Sequence, residues 1–179
     1  KYYYRDEGGS GTLLYAVPKK NRNEAITIAA KDLRPDAAEF SKTCLVAEID
    51  GKEKKFDIDI YADLIYNGSL DETFTENTLK IKSGTLTLID ADRDGDYELV
   101  RAEEYVDIVA SSCSVDSERL ISKHSPDGYS VIKYSEYKNV VFENAFGERV
   151  DAASIKEDDI ISVFRSKDNS KIRFVICSD

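Results

Sequence analysis

The chain has no tryptophan, a single histidine and three cysteines among 179 residues, and each scarcity narrows what it can do. Tryptophan is the ring best suited to stacking on sugars, so a carbohydrate-binding face would rest on tyrosine alone. A Ser–His–Asp or Cys–His centre would have to use His124, which lies in the polar turn SKHSPDG with no identifiable nucleophile beside it. A surface histidine is the simpler reading. Cys44, Cys113 and Cys177 are too scattered for a disulfide framework and match no zinc spacing. They read as small apolar residues, although one pair can bridge in an oxidising compartment. No apolar run approaches the roughly 20 residues that cross a bilayer, so membrane insertion by this segment is not expected. The opening KYYYRDEGG lacks the apolar stretch of a signal peptide. Because it begins at Lys1, the chain reads as a segment of a longer protein, with any signal or anchor beyond it.

Basic charge is also in short supply. Lys and Arg number 25 against 35 Asp and Glu, giving net charge −10 and a pI near 4.7. Phosphates attract basic patches, so nucleic acid and anionic lipid are poor partners, while cations or basic partners suit the chain better. The apolar fraction of 41% falls in short β-branched and aromatic clusters, which favours folding over disorder. The length suffices for one large domain or two small ones.

Strand signals dominate what is present. TLLYAV (12–17), AITIAA (25–30), CLVAEI (44–49) and KFDIDIY (55–61) are rich in β-formers. In the last, Phe56, Ile58 and Ile60 alternate with Asp57 and Asp59, the pattern of a sheet with one wet face. DGKEK (50–54) makes 44–61 a hairpin, and Asn67-Gly68 marks another turn. SLDETFTENTLK (69–80) is polar and reads as a linker or long loop. Further strands are predicted at 84–90, 97–110, 119–123, 129–134 and 139–144, with a closing pair at 159–165 and 171–177 around SKDNS. Only PDAAEFSK (35–42) suggests a helix, and a short one. The prediction is an all-β, mainly antiparallel fold with very little helix, a small barrel or sandwich. It divides into an N-terminal module over 1–75 and a barrel-like module over 82–179, unless one domain spans both.

The most specific stretch is LIDADRDGDYELV (88–100), which sets Asp90, Asp92, Asp94, Asp96 and Glu98 on alternate positions around Gly95. Counting from Asp90, acidic side chains fall at positions one, three, five and nine, with glycine at six. Calcium takes six to eight oxygens, and a chain curling round a cation presents alternate side chains inward. Asp90, Asp92, Asp94 and Glu98 are therefore the side-chain ligands, with the Asp96 backbone carbonyl completing the set. The loop departs from an EF-hand because position twelve is Arg101 and the flanks are strands, so helix-reorienting switching is not expected. The competing reading is a solvated acidic turn, but its donor periodicity favours metal.

Other motifs carry less. DEGGSGT (6–12) leads into a strand without the Lys-Ser/Thr pair of a phosphate cradle, and reads as a hairpin loop. Paired carboxylates serve glycosidases, yet 35 acidic residues offer no one pair, and Asp57 and Asp59 read as a wet strand face. The eleven tyrosines, three of them in YYY (2–4), read as sheet packing before a sugar platform.

The run GTLTLIDADRDGDYELVRAEEYV resembles a segment of large Gram-positive surface proteins that carry S-layer homology domains. YYYRDEGGSGTLLYAV, DLIYNG and EDDIISVFRSKDNSKIRFVICS are similar to their partner stretches. The resemblance implies tandem β modules projecting from the cell wall, with no assigned activity. Onto this chain it carries Asp90, Asp92, Asp94, Gly95 and Glu98, and nothing catalytic. The reading is a non-enzymatic, calcium-stabilised structural or display module, extracellular or wall-associated. Its partners are neighbouring modules of the same longer chain and, in a second reading, a cell-wall polymer or other glycan. A glycosidase-type hydrolase ranks third.

Overall fold

The computed structural model describes residues 24–71 and 74–177, and the backbone alone of 2–7 and 10–16. Among the described residues strands dominate and helix is confined to a few short turns, so the mainly-β prediction holds. By contact density the chain divides into two units, Lys1–Tyr66 with Leu70–Ala102, and Asn67–Ser69 with Glu103–Asp179. The division falls inside one long strand at residues 102–103, whereas the sequence suggested a break near 75–82.

The first unit contains a hairpin of β1 (Tyr2–Glu7) and β2 (Ser10–Ala16), antiparallel with Glu7 opposite Ser10. Of the predicted hairpin loop 6–12, residues 6–7 and 10–12 are strand, and Gly8–Gly9 lie outside the described residues, as does the last residue of the predicted 12–17 strand. β3 (Glu24–Ala29) follows, then β4 (Cys44–Ile49) and β5 (Lys52–Tyr66). The last two pair antiparallel across Asp50 and Gly51, at φ 54° and 71°. Two consecutive left-handed residues make the tight turn whose twist matches the flanking strands, as DG signalled. The Asn67–Gly68 turn, φ 46° and 83°, leads the chain into β6 (Ser69–Leu70). β7 (Gly84–Asp90) pairs with β3, and the first residues of β8 (Tyr97–Ser114) pair with β7 and run parallel to β5. Leu45, Val46, Leu64, Leu86, Leu88 and Val100 form the fully buried centre of this unit.

Three predictions fail here for identifiable reasons. The stretch read as a linker holds a one-turn helix α1 (Glu76–Leu79), capped by Thr75, whose hydroxyl and that of Thr78 satisfy each other's backbone N–H groups. Phe74, Leu79 and Ile81 are buried in the core. Three apolar anchors widely spaced among polar residues give no periodic signal, so the segment looked unattached. Residues 35–42 form turns, not a helix: Ala37 N–H donates to the Arg34 carbonyl and Phe40 N–H to the Ala37 carbonyl, which carries Phe40 into the core. Finally, the inward alternation of β5 stops at Ile58, and Ile60 is 62% exposed.

The second unit is built on the rest of β8, with β9 (Arg119–His124), β10 (Val131–Lys133), β11 (Val140–Asn144), β12 (Ile160–Arg165) and β13 (Ile172–Ile176). The order is β10-β9-β8-β12-β13-β11, antiparallel except for the parallel pair β11–β13. Its core holds Ile108, Leu120, Ile132, Ile161 and Phe174, with the Phe142 and Phe174 rings stacked at 4.7 Å. Tyr134 and Tyr137 are buried, as the packing reading of the tyrosines predicts. The Tyr134 hydroxyl donates to the Ser114 carbonyl, and burial, with nearby Cys113 and Glu118, pushes it up to about 12. Asn67 is tied in by its side-chain oxygen, which accepts from Glu104 N–H at 2.8 Å, and by its carbonyl, which accepts from Lys167 N–H at 3.0 Å. All three cysteine thiols are free.

Candidate metal centre

The acidic loop joins β7 to β8 within the first unit. Leu86, Leu88 and Asp90 take alternate positions on β7, so the rule that drives two leucines inward also drives Asp90 to 3% exposure. A buried carboxylate needs partners, and the loop supplies them from its own backbone. Arg93 N–H donates to Asp90 Oδ1 and Gly95 N–H to Asp90 Oδ2 at 3.2 Å. Curling the chain this tightly puts Arg93 at φ 73° and Gly95 at 107°. Glycine takes such a conformation without cost, while at Arg93 the hydrogen bond to Asp90 offsets part of about 1–2 kcal/mol.

The next carboxylates repeat the device. Asp94 N–H donates to Asp92 Oδ1 at 3.2 Å, Asp96 N–H to Asp94 Oδ1 at 3.0 Å, and Ala91 N–H to Glu98 Oε2 at 2.6 Å. One oxygen from each of Asp90, Asp92, Asp94 and Glu98 then lies within 4.8 Å of the others. This group can hold a metal ion, and it contains all four side chains that the spacing singled out. The Asp96 carboxylate is not among the four.

Proton affinities in the loop register both burial and the crowding of carboxylates. Burial raises the Glu98 carboxyl, with Asp92 and Asp90 adding to the shift against the Ala91 hydrogen bond. Loss of hydration raises Asp96 too, followed by the charges of Asp94, Asp57, Asp59 and Asp90. The Tyr97 hydroxyl is raised by burial, then by Asp90 and Glu24. Carboxylates about 5 Å apart repel by roughly 1 kcal/mol per pair even in water. A carboxylate oxygen that accepts one N–H retains lone pairs for a cation, so the turn bonds and metal ligation are compatible.

Three acidic neighbours were missed because they are remote in sequence. Register sets Glu24 opposite Asp90 across β3–β7, and Ile58 opposite Tyr97 across β5–β8. With Ile58 buried and Tyr97 packed on the core, the flanking Asp57 and Asp59 share the outer face with Asp96 and Glu98. Only the pairing of strands some 40 residues apart could reveal this.

His124 is not in a loop: it ends β9 as an exposed residue opposite Val109. It lines a pocket of about 320 Å³ with Val109, Pro126 and Ile160. No protein-family profile, curated protein or solved structure matches this chain.

Proposed function

We propose that the chain is a non-enzymatic structural or display module of a secreted or cell-surface protein, stiffened by a calcium ion in the 90–98 loop. The observation that carries the reading is the convergence of four carboxylate oxygens within 4.8 Å of one another. Calcium holds oxygens at about 2.3–2.6 Å, so opposite ligands of its shell lie about 5 Å apart, and the four oxygens here fall within that span. Magnesium requires a tighter octahedron of about 2.1 Å radius and keeps its waters, which suits this loop less well. Asp90, Asp92, Asp94 and Glu98 would hold the ion, and the ion would offset their mutual repulsion.

The role that follows is mechanical. Metal ligation ties β7 to β8 and closes a loop that would otherwise open by charge repulsion, which leaves fewer openings for proteases. The resemblance to S-layer-type surface modules supports an extracellular spacer, where neighbouring modules of the same chain are the partners and calcium is millimolar.

The test is a melting curve in excess chelator, repeated with about 1–5 mM calcium and with magnesium as control. At an affinity of roughly 10⁻⁴ M, millimolar calcium adds about 1.4 kcal/mol, a rise of about 5 °C. A rise with calcium alone supports the reading. Identical curves would reduce the loop to a solvated turn and remove the ion from the proposal.

A further inference from the structure

The β5 strand carries an anomaly that the metal loop does not absorb. Ile58 pairs with Tyr97 and Asp63 with Leu99, so four residues of β5 (59–62) face one of β8. An ordinary bulge inserts one extra residue, while this one inserts three, and the surplus is pushed outward. Ile60 is 62% and Tyr61 85% exposed at its tip. The projection is anchored: Ile58 and Ala62 are buried at either side, and Asp59 Oδ1 accepts from Tyr61 N–H at 2.6 Å. Single exposed apolar residues are ordinary, but two adjacent ones raised on a fixed bulge are a feature that needs an occupant.

Charge decides which occupant. Asp57 and Asp59 flank the tip on their own strand, and the register sets Asp96 beside Asp57 on the same outer face. An anionic surface would be repelled, whereas Lys and Arg side chains would meet carboxylates at the rim and an aromatic face at the centre. Tyrosine anchors surrounded by polar rims are the usual energetic centres of protein interfaces.

We propose that the β5 bulge, with Ile60 and Tyr61 at its tip and Asp57, Asp59 and Asp96 around it, is a docking surface for a basic, apolar-containing segment of a partner polypeptide. Tyr61 and Ile60 cover the partner's apolar side chains, and the carboxylates pair with its cations. Asp57 and Asp59 lie outside the metal-ligand group, so failure of calcium to stabilise the protein would leave this proposal standing.

The experiment is an NMR titration of the full chain with a synthetic peptide of alternating lysine and leucine. Saturable amide shifts centred on residues 57–63 and Asp96 are expected. Ile60→Ser with Tyr61→Ser should weaken binding at least about tenfold while leaving the melting temperature near wild type, because both side chains are exposed. Asp57→Asn with Asp59→Asn should weaken binding and flatten its salt dependence. The proposal is overturned if no saturable binding occurs up to about 1 mM, or if the shifts map elsewhere. It is also overturned if an all-lysine peptide or the Ile60/Tyr61 double variant binds equally well. Retention on phosphatidylcholine vesicles that depends on Ile60 and Tyr61 would replace a protein partner by lipid.

Discussion

Two polar turns in this protein solve the same problem in opposite ways. The turn at 166–170 carries one carboxylate, Asp168, whose Oδ1 accepts from Ser170 N–H at 3.0 Å, while Ser166 Oγ accepts from Lys171 N–H at 2.8 Å. Partial burial pushes the Asp168 carboxyl up, but the Ser170 hydroxyl and amide and the Ser166 hydroxyl outweigh it and hold it below the usual range. In the 90–98 loop each backbone bond also lands on a carboxylate, yet Glu98 and Asp96 end up raised. The hydrogen bonds are of the same kind. What differs is the surroundings: loss of hydration dominates at Glu98 and Asp96 and neighbouring carboxylates add to it, whereas the hydroxyl and backbone donors around Asp168 outweigh its burial. The first turn carries its own compensation, and the second gathers four carboxylate oxygens within 4.8 Å.

Removing the buried charge should break the contrast most strongly. Asp90→Ala leaves the Arg93 and Gly95 N–H groups without their acceptor, so stability should fall by about 1–3 kcal/mol in chelator, and the calcium response should vanish. Denaturant unfolding with and without calcium checks both effects.

Acid gives the next largest effect, with opposite signs in the two turns. Because the folded-state carboxyl of Glu98 is raised from 4.5, its contribution in chelator is present below that value and is lost as pH rises through its raised folded-state value. Calcium requires the carboxylates ionised, so the calcium-induced gain should shrink as pH falls into the window above 4.5. Asp168 is depressed below 3.8, so its contribution persists until the pH falls beneath that figure. Melting curves from pH 7 to about 3, with and without calcium, separate the two. Asp168→Ala should then cost about 1 kcal/mol, equally in chelator and in calcium. Smallest of all, Asp96→Asn should relieve repulsion and change stability by less than about 0.5 kcal/mol, upward in chelator. A clear loss of stability in chelator would mean that its charge is held by something favourable.

How much of this was legible depends on how far apart the interacting residues lie. β4 and β7 match the predicted 44–49 and 84–90 because dense β-branched runs meet clear turn residues, Asp50-Gly51 and Ala91 onward. The four clustered carboxylates were readable because their convergence is local: a turn of nine residues brings alternate side chains together whatever surrounds it. Ile60 was misplaced because the bulge is created by the β5–β8 register, and nothing in KFDIDIYAD announces three surplus residues. Phe74 and Leu79 were hidden for a related reason: isolated apolar anchors acquire meaning only from the core that receives them. Asp57 and Glu24 likewise join the acidic neighbourhood only through strand pairing.

The short turn at residues 67–69 has a consequence for how this protein can be inherited or cut. Its neighbours Tyr66 and Leu70 belong to the first unit, while Asn67 is bonded to Glu104 and Lys167 of the second. A cut at residues 102–103 would therefore separate Asn67 from both its partners and leave the backbone N–H of Glu104 without its acceptor. The two halves are interleaved along the chain, so neither can be excised, duplicated or shuffled alone. Recombination that preserves the fold must carry both units together.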